Sequence, residues 1–223
     1  EDNSGYSANA GVKIFGGWSR GQDQKSLSIF ARSQYGHSVF DYPLFQISEI
    51  SNYESFVLRN SGNDWTSTML RDGYITSLAN KTDIDHQLFR PAVIYLNGEY
   101  WGIQNIREKV NEHFLSSHHD INPENIDLLD IQGTNPENIV HGTNVDYLNL
   151  LDYLNNNDIR DPVIQSGIEG WIDINSFMQY QAFQIFIDNR DWPGNNIKFW
   201  RDHRTTGKWR WILYDTDFGF GIW

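Results

Sequence analysis

The sequence contains no cysteine. This excludes disulfides, thiol catalysis and cysteine-ligated zinc or iron–sulfur centres. No run approaches the roughly twenty apolar residues of a membrane span, so no spanning segment is expected, and Glu1-Asp2-Asn3 does not open a signal peptide. Basic residues are scarce: 17 Lys and Arg stand against 29 Asp and Glu, a formal charge of −12 over 223 residues. A phosphate backbone needs a basic footprint, so no nucleic acid partner is expected. The chain also lacks a Gly-x-Ser-x-Gly elbow for serine hydrolysis, an Asp-x-Asp-x-Asp-Gly calcium loop, and any internal repeat.

Aromatic residues are abundant, with 9 Trp, 11 Tyr and 13 Phe. Such rings serve a β-containing core or stack on a ligand. Most fall on expected strands and on one expected buried helix, which favours the core. A carbohydrate-binding module, stacking through Trp18 or Trp192, is the weaker reading. The acids are unevenly placed: Glu112 to Asp188 holds thirteen acidic residues and one basic residue, Arg160. This reads as a solvated acidic face. A Cys-free chain rich in Asn, Trp and Tyr suits a bacterial exported protein. The Gly/Ser/Asn-rich opening to Ala10 reads as a frayed terminus or a linker remnant. The closing Gly219-Phe220-Gly221-Ile222-Trp223 reads as a C-terminally incomplete fragment.

The first half is expected to be β-rich. Val12–Phe15 and Ser26–Ala31 flank a Gly-rich loop, Gly16-Gly17-Trp18-Ser19-Arg20-Gly21, and Phe56–Leu58 forms another strand. Ala92–Leu96 and Tyr100–Asn105 surround Asn97-Gly98, the strongest short hairpin signal because both residues tolerate positive φ. Ile106, Val110 and Phe114 recur every four residues, which predicts a helix over Arg107–Ser117. The second half reads as mainly helical. One helix carries Val145, Leu148, Leu151 and Leu154. A longer one, capped by Asp173, carries Ile174, Phe177, Met178, Ala182, Ile185 and Phe186 and is expected at the centre of its lobe. A polar loop, Asp188–Asn196, then leads into a late hairpin of Ile197–Trp200 and Trp209–Tyr214, turning around Thr205-Thr206-Gly207.

The chemistry is concentrated around that hairpin. Arg190-Asp191 is followed five residues later by Asn196, then by two strands, then by Asp215-Thr216-Asp217-Phe218-Gly219. Each piece is common alone, but the conjunction in this order is that of protein kinases. There the loop acid orients or deprotonates the acceptor hydroxyl, and the Asn and the later Asp hold Mg²⁺ on the phosphates. Two acids one residue apart repel unless a cation or hydrogen bonds compensate them, which favours a metal site. His118-His119-Asp120 reads as a polar helix end. Arg59, Asp64, Arg71 and Asp72 read as a structural ion network.

The sequence resembles the CotH (spore coat protein H) kinase family of atypical secreted or surface protein kinases. The resemblance runs nearly end to end. It is carried by Ser19-Arg20 with Lys25-Ser26-Leu27, by Leu58-Arg59-Asn60 to Leu70-Arg71-Asp72, and by Tyr95-Leu96-Asn97-Gly98-Glu99-Tyr100-Trp101-Gly102 running into Ile106-Arg107-Glu108. Asp191 to Asn196 and Tyr214-Asp215-Thr216-Asp217 complete it. The Asn-Gly-Glu-Tyr-x-Gly hairpin is the most distinctive part, because kinases in general lack it.

The resemblance implies a single α+β, kinase-like domain over 1–223. Its two lobes would be a β-rich part, 1–117, and a helical part, 118–223, with the late hairpin. It implies ATP and Mg²⁺ (or Mn²⁺) as cofactors and phosphoryl transfer to Ser or Thr of a partner protein at the spore coat or bacterial surface. Asp191 becomes the catalytic acid, Asn196 a metal ligand, and Asp215 or Asp217 the metal-binding acid, with Asp215 preferred. Lys25, paired with Glu108 and aided by Arg20, would bind the ATP phosphates. The Gly16-Gly17-x-x-x-Gly21 loop and then Lys25 is a shorter arrangement than that of ordinary kinases. A kinase-shaped scaffold without turnover is the competing expectation.

Overall fold

The computed structural model describes residues 5–132, 135–205 and 207–222. The first four residues, Thr206 of the expected turn, and Trp223 lie outside them. In chain order the first half contains β1 (Gly11–Phe15), β2 (Ser26–Phe30), β3 (Phe40–Asp41), β4 (Asn52–Tyr53), β5 (Ser55–Arg59), α1 (Arg71–Leu78), β6 (Asp85–His86), β7 (Phe89–Leu96) and β8 (Glu99–Glu108). The second half contains α2 (Glu112–His119), β9 (Ile126–Gln132), β10 (Asn135–His141), α3 (Val145–Asn156), α4 (Pro162–Trp171), α5 (Ile174–Phe186), β11 (Ile197–Asp202) and β12 (Arg210–Leu213). The mixture of helices and sheets is that of an α+β protein.

A first five-stranded sheet runs β1-β2-β5-β8-β7, antiparallel throughout. The β7–β8 hairpin turns at Asn97 (φ 53°) and Gly98 (φ 84°), the paired left-handed residues that match strand twist. The strand β8 is longer than the sequence suggested. Its ladder against β5 continues through Ile106 and Arg107 to Glu108, opposite Phe56. The expected helix over Arg107–Ser117 is therefore corrected: α2 starts at Glu112, where the Asn111 side chain accepts from the Phe114 N–H at 3.0 Å. Ile106 is a strand residue that happens to fall in helical register with Val110 and Phe114.

The second sheet, β10-β9-β11-β12-β6, corrects the expectation of a mainly helical second half. Asp127 and Asp130, three apart among Ile and Leu, imitate a helix face. They are cross-strand partners of Arg201 and Lys198 in β11, paired at 2.9 and 2.6 Å. The sixth strand comes from the first half of the chain and pairs parallel with β12. Val110, Phe114 and Leu115 pack with Ile126, Leu128, Trp200, Ile212 and Tyr214. A boundary at Ser117 thus falls inside α2, whose apolar side covers the second sheet.

On the opposite face Leu129, Leu150, Ile172, Phe199 and Trp209 form another cluster. The short helix α4, capped by Asp161 through the Val163 N–H, was not anticipated. The α5 helix is also corrected. Asp173 caps it through the Ser176 N–H, but it lies at the periphery, with Ser176, Tyr180 and Gln184 buried. Met178, Ile185 and Phe186 are more than half exposed. Ser176, Tyr180 and Gln184 recur every four residues on the face toward the sheet, Phe177 and Phe183 pack partly buried beside them, and Met178, Ile185 and Phe186 face outward.

Candidate active site

Asp191 lies in the loop after α5. Its Oδ2 accepts from Asn195 Nδ2 at 3.1 Å and from Asn196 Nδ2, and its backbone N–H donates to Asn189 Oδ1 at 3.3 Å. Burial pushes the Asp191 carboxyl pKa up, the Asn195 bond opposes this, and the charge of Asp215 adds to the rise. Asn196 (φ 55°) and Asp215 (φ 52°) both adopt the left-handed backbone at the two open ends of the β11–β12 hairpin. Asn and Asp tolerate that region better than other side chains, and such conformations concentrate at functional sites.

The acid pair after β12 is compensated from the first sheet. Arg59, the last residue of β5, reaches both acids through Nη2: it bonds Asp215 Oδ1 and lies 2.9 Å from Asp217 Oδ2. Asp217 also accepts from the Asn63 N–H at 2.9 Å and from Asn63 Nδ2 at 3.1 Å. A Cβ at Gly62 (φ 57°) would stand 2.1 Å from Asp217 Oδ2, so the wrap-around turn requires glycine there. Asp72, at the start of α1, lies 3.4 Å from Arg59 Nε and 3.3 Å from Arg107 Nη1, and accepts from the Thr216 N–H at 2.9 Å. The sequence Asp215-Thr216-Asp217 is thus gripped at every residue.

The electrostatics follow from this crowding. Burial alone would weaken Arg59's hold on its proton, but Asp215, Asp72 and Asp217 outweigh it and raise the pKa above its ordinary value. Asp217 is pushed up to about 6, by burial first, against the pull of Arg59, with Asp215 and Asp72 adding repulsion. The two acids differ in access: the Asp215 side chain is 27% exposed and Asp217 1%.

The residues expected at the phosphates are not all brought together. Lys25 Nζ donates to Arg20 O at 2.8 Å and to Gln22 O, folding back on the Gly-rich loop, and Arg20 is exposed on that loop. Glu108 is buried elsewhere: Oε1 meets His118 Nε2 at 2.7 Å and Oε2 accepts from the Leu88 N–H at 2.9 Å. The register sets Glu108 opposite Phe56 and Phe56 opposite Ile29. That is four residues along from Lys25, or about 13 Å of strand rise. The Lys25–Glu108 pair is therefore absent from this structure.

Arg59, Asn63 and Asp72 are the residues that sequence reasoning did not place at the site. Arg59 and Asp72 had read as a structural ion network. They do form one, but it closes on Asp215 and Asp217. The signal lay in the blocks Leu58-Arg59-Asn60 and Leu70-Arg71-Asp72, where charges abut strand-like and helix-like residues. Asp64 shares this corner. It accepts from the Thr68, Leu70 and Arg71 N–H groups and orders the entry to α1.

Asp215, Asp217 and the Asn196 amide supply oxygen donors only, the set that hard divalent cations take. Among the described residues no group of three His, Asp or Glu is arranged to hold a metal. Three acids around the Arg59 guanidinium nevertheless leave negative charge that fits a cation, and Asp215 is the acid with solvent access.

The model of the CotH kinase protein family matches residues 12–223. No curated protein matches the chain. The match covers nearly the whole sequence, including the β5 turn, the Asp191 loop and the Asp215-Thr216-Asp217 segment, and the chain belongs to the CotH kinase protein family.

Proposed function

We propose that this protein transfers the γ-phosphoryl group of ATP, with Mg²⁺ or Mn²⁺, to a Ser or Thr hydroxyl of a partner protein. The observation that carries the reading is Asp191. It is a half-buried acid oriented by two Asn side chains, with its pKa raised, within electrostatic range of Asp215. A base whose pKa moves toward neutrality is better matched to accepting a hydroxyl proton. The acceptor oxygen attacks the γ-phosphorus as its proton passes to the Asp191 carboxylate. The bond from that phosphorus to the β–γ bridging oxygen breaks, and ADP leaves with the electron pair.

Asp215 and the Asn196 amide oxygen would hold the divalent cation, which neutralises phosphate charge. Asp217, enclosed by Arg59 and Asn63, would hold the Asp215 segment in place. Lys25 would shape the Gly-rich loop, and the exposed Arg20 would meet phosphate oxygens. Glu108 has no nucleotide contact in this reading because His118 and Leu88 occupy it. Family membership supports a coat or surface protein of a bacterium as the acceptor, and a secreted or surface location.

The test is transfer from γ-labelled ATP with Mg²⁺ or Mn²⁺ to a generic acceptor and to the protein itself. Asp191→Ala should reduce transfer at least a hundredfold in a folded protein, and full activity in that variant would refute the role. A scaffold without turnover draws on a different observation, the neutralisation of Asp215 and Asp217 by Arg59. That reading predicts no transfer by the wild type and no metal-dependent ATP binding.

A further inference from the structure

Three acids, Asp72, Asp215 and Asp217, converge on the Arg59 guanidinium, and they are not equivalent. Asp72 and Asp217 are 4% and 1% exposed and are tied to Thr216 and Asn63, respectively. Asp215 is 27% exposed and meets the same Arg59 Nη2 that bonds Asp217. A divalent cation arriving at Asp215 therefore meets a fixed positive charge already on that carboxylate. Two cations sharing one carboxylate repel, and at the edge of a protein this repulsion is not fully screened.

We infer that Arg59 is a resident counter-ion that competes with a free divalent cation for Asp215, so that the site takes metal together with nucleotide phosphates and not alone. The inference rests on the phosphoryl-transfer reading. The phosphates supply the negative charge that offsets both cations, whereas two of the three acid charges are already matched by Arg59 and Arg107. Arg59 acts as a positioning residue: it keeps Asp215 and Asp217 together before the cation arrives and sets the order in which ligands enter.

The test measures Mn²⁺ binding to the full chain by electron paramagnetic resonance, without nucleotide, for wild type and Arg59→Gln. Removing the guanidinium should tighten free Mn²⁺ binding at least tenfold, and ATP should tighten Mn²⁺ binding to wild type much more than to the variant. Unchanged or weaker Mn²⁺ affinity in folded Arg59→Gln overturns the inference. Should that variant fold only with metal, Arg59→Lys carries the test, because the ammonium cannot bridge both acids in the same geometry. Mn²⁺ should then raise its Tm by several degrees more than that of wild type, and equal shifts overturn the inference. If wild type transfers phosphate while Arg59→Gln binds Mn²⁺ like wild type, the counter-ion alone fails. If wild type binds no Mn²⁺ even with ATP, the phosphoryl-transfer reading fails as well.

Discussion

The two ends of the paired strands β5 and β8 carry buried charge in opposite ways. At the Arg59 end one guanidinium serves three acids, two of which arrive from more than 150 residues away. At the Phe56 end Glu108 is matched by His118, ten residues on, and by the Leu88 N–H. The first end has more acid than its arginine can satisfy, and burial, with repulsion from Asp215 and Asp72 added, lifts Asp217 to about 6 against the pull of Arg59. The second end is locally neutralised, and its work is to dock α2. A buried charge that is fully matched nearby is part of the scaffold. A buried cluster left with excess charge is open to a ligand.

The largest effect that would break this comparison is on transfer. Asp191→Ala should lower it by at least about a hundredfold while shifting Tm by only a few degrees, as read by labelled-ATP assay and calorimetry. Next comes Gly62→Ala, which puts a Cβ into the Asp217 carboxylate at a left-handed backbone position. We expect a loss of about 2–4 kcal/mol in urea unfolding. A loss below about 1 kcal/mol would mean that the Asp217 wrap is loose.

At the other end His118 gives a smaller, pH-linked effect. Burial lowers its pKa, but the hydrogen bond and charge of Glu108 outweigh this and raise it above the ordinary value of 6.5. The stabilisation is therefore complete below pH 6.5 and is lost as pH rises through the higher folded-state value. Wild-type Tm should fall on going from pH 6 to pH 8, and His118→Asn should flatten that slope at a cost of about 1 kcal/mol at pH 6. The smallest effect is expected from Lys25→Met. The side chain clasps two loop carbonyls, so stability should change by less than about 1 kcal/mol, with a few-fold rise in the KM for ATP.

The parts of the site that were legible in the sequence are local. Asn97-Gly98 encodes its own turn, and Asp191, Asn196 and the β11–β12 hairpin lie within 27 residues of Asp217. What was illegible depends on partners far along the chain. The ninth strand was missed because Asp127 and Asp130 look like the polar face of a helix until Arg201 and Lys198 pair with them across the sheet. The block Leu58-Arg59-Asn60 marks a charge at a strand end but not what it meets, since the partners of Arg59 follow by 156 and 158 residues. The apolar residues of α5 do not say which of its faces the sheet will cover. The Lys25–Glu108 pairing failed on register, which no single strand reveals.

The sixth strand, Asp85–His86, belongs to the second sheet only through its parallel pairing with β12, which completes about 125 residues later. During synthesis the first sheet can form while Arg59, Arg107 and Asp72 still lack Asp215, Asp217 and Thr216. Non-local parallel pairing is the slow part of folding, because chain closure must be paid before contacts reward it. Docking of β12 therefore brings in the acids of the candidate site and joins β6 to the second sheet in one event. Formation of the candidate site is tied to that long-range closure, and a nascent chain that has not reached Asp217 lacks the acids that Arg59 holds.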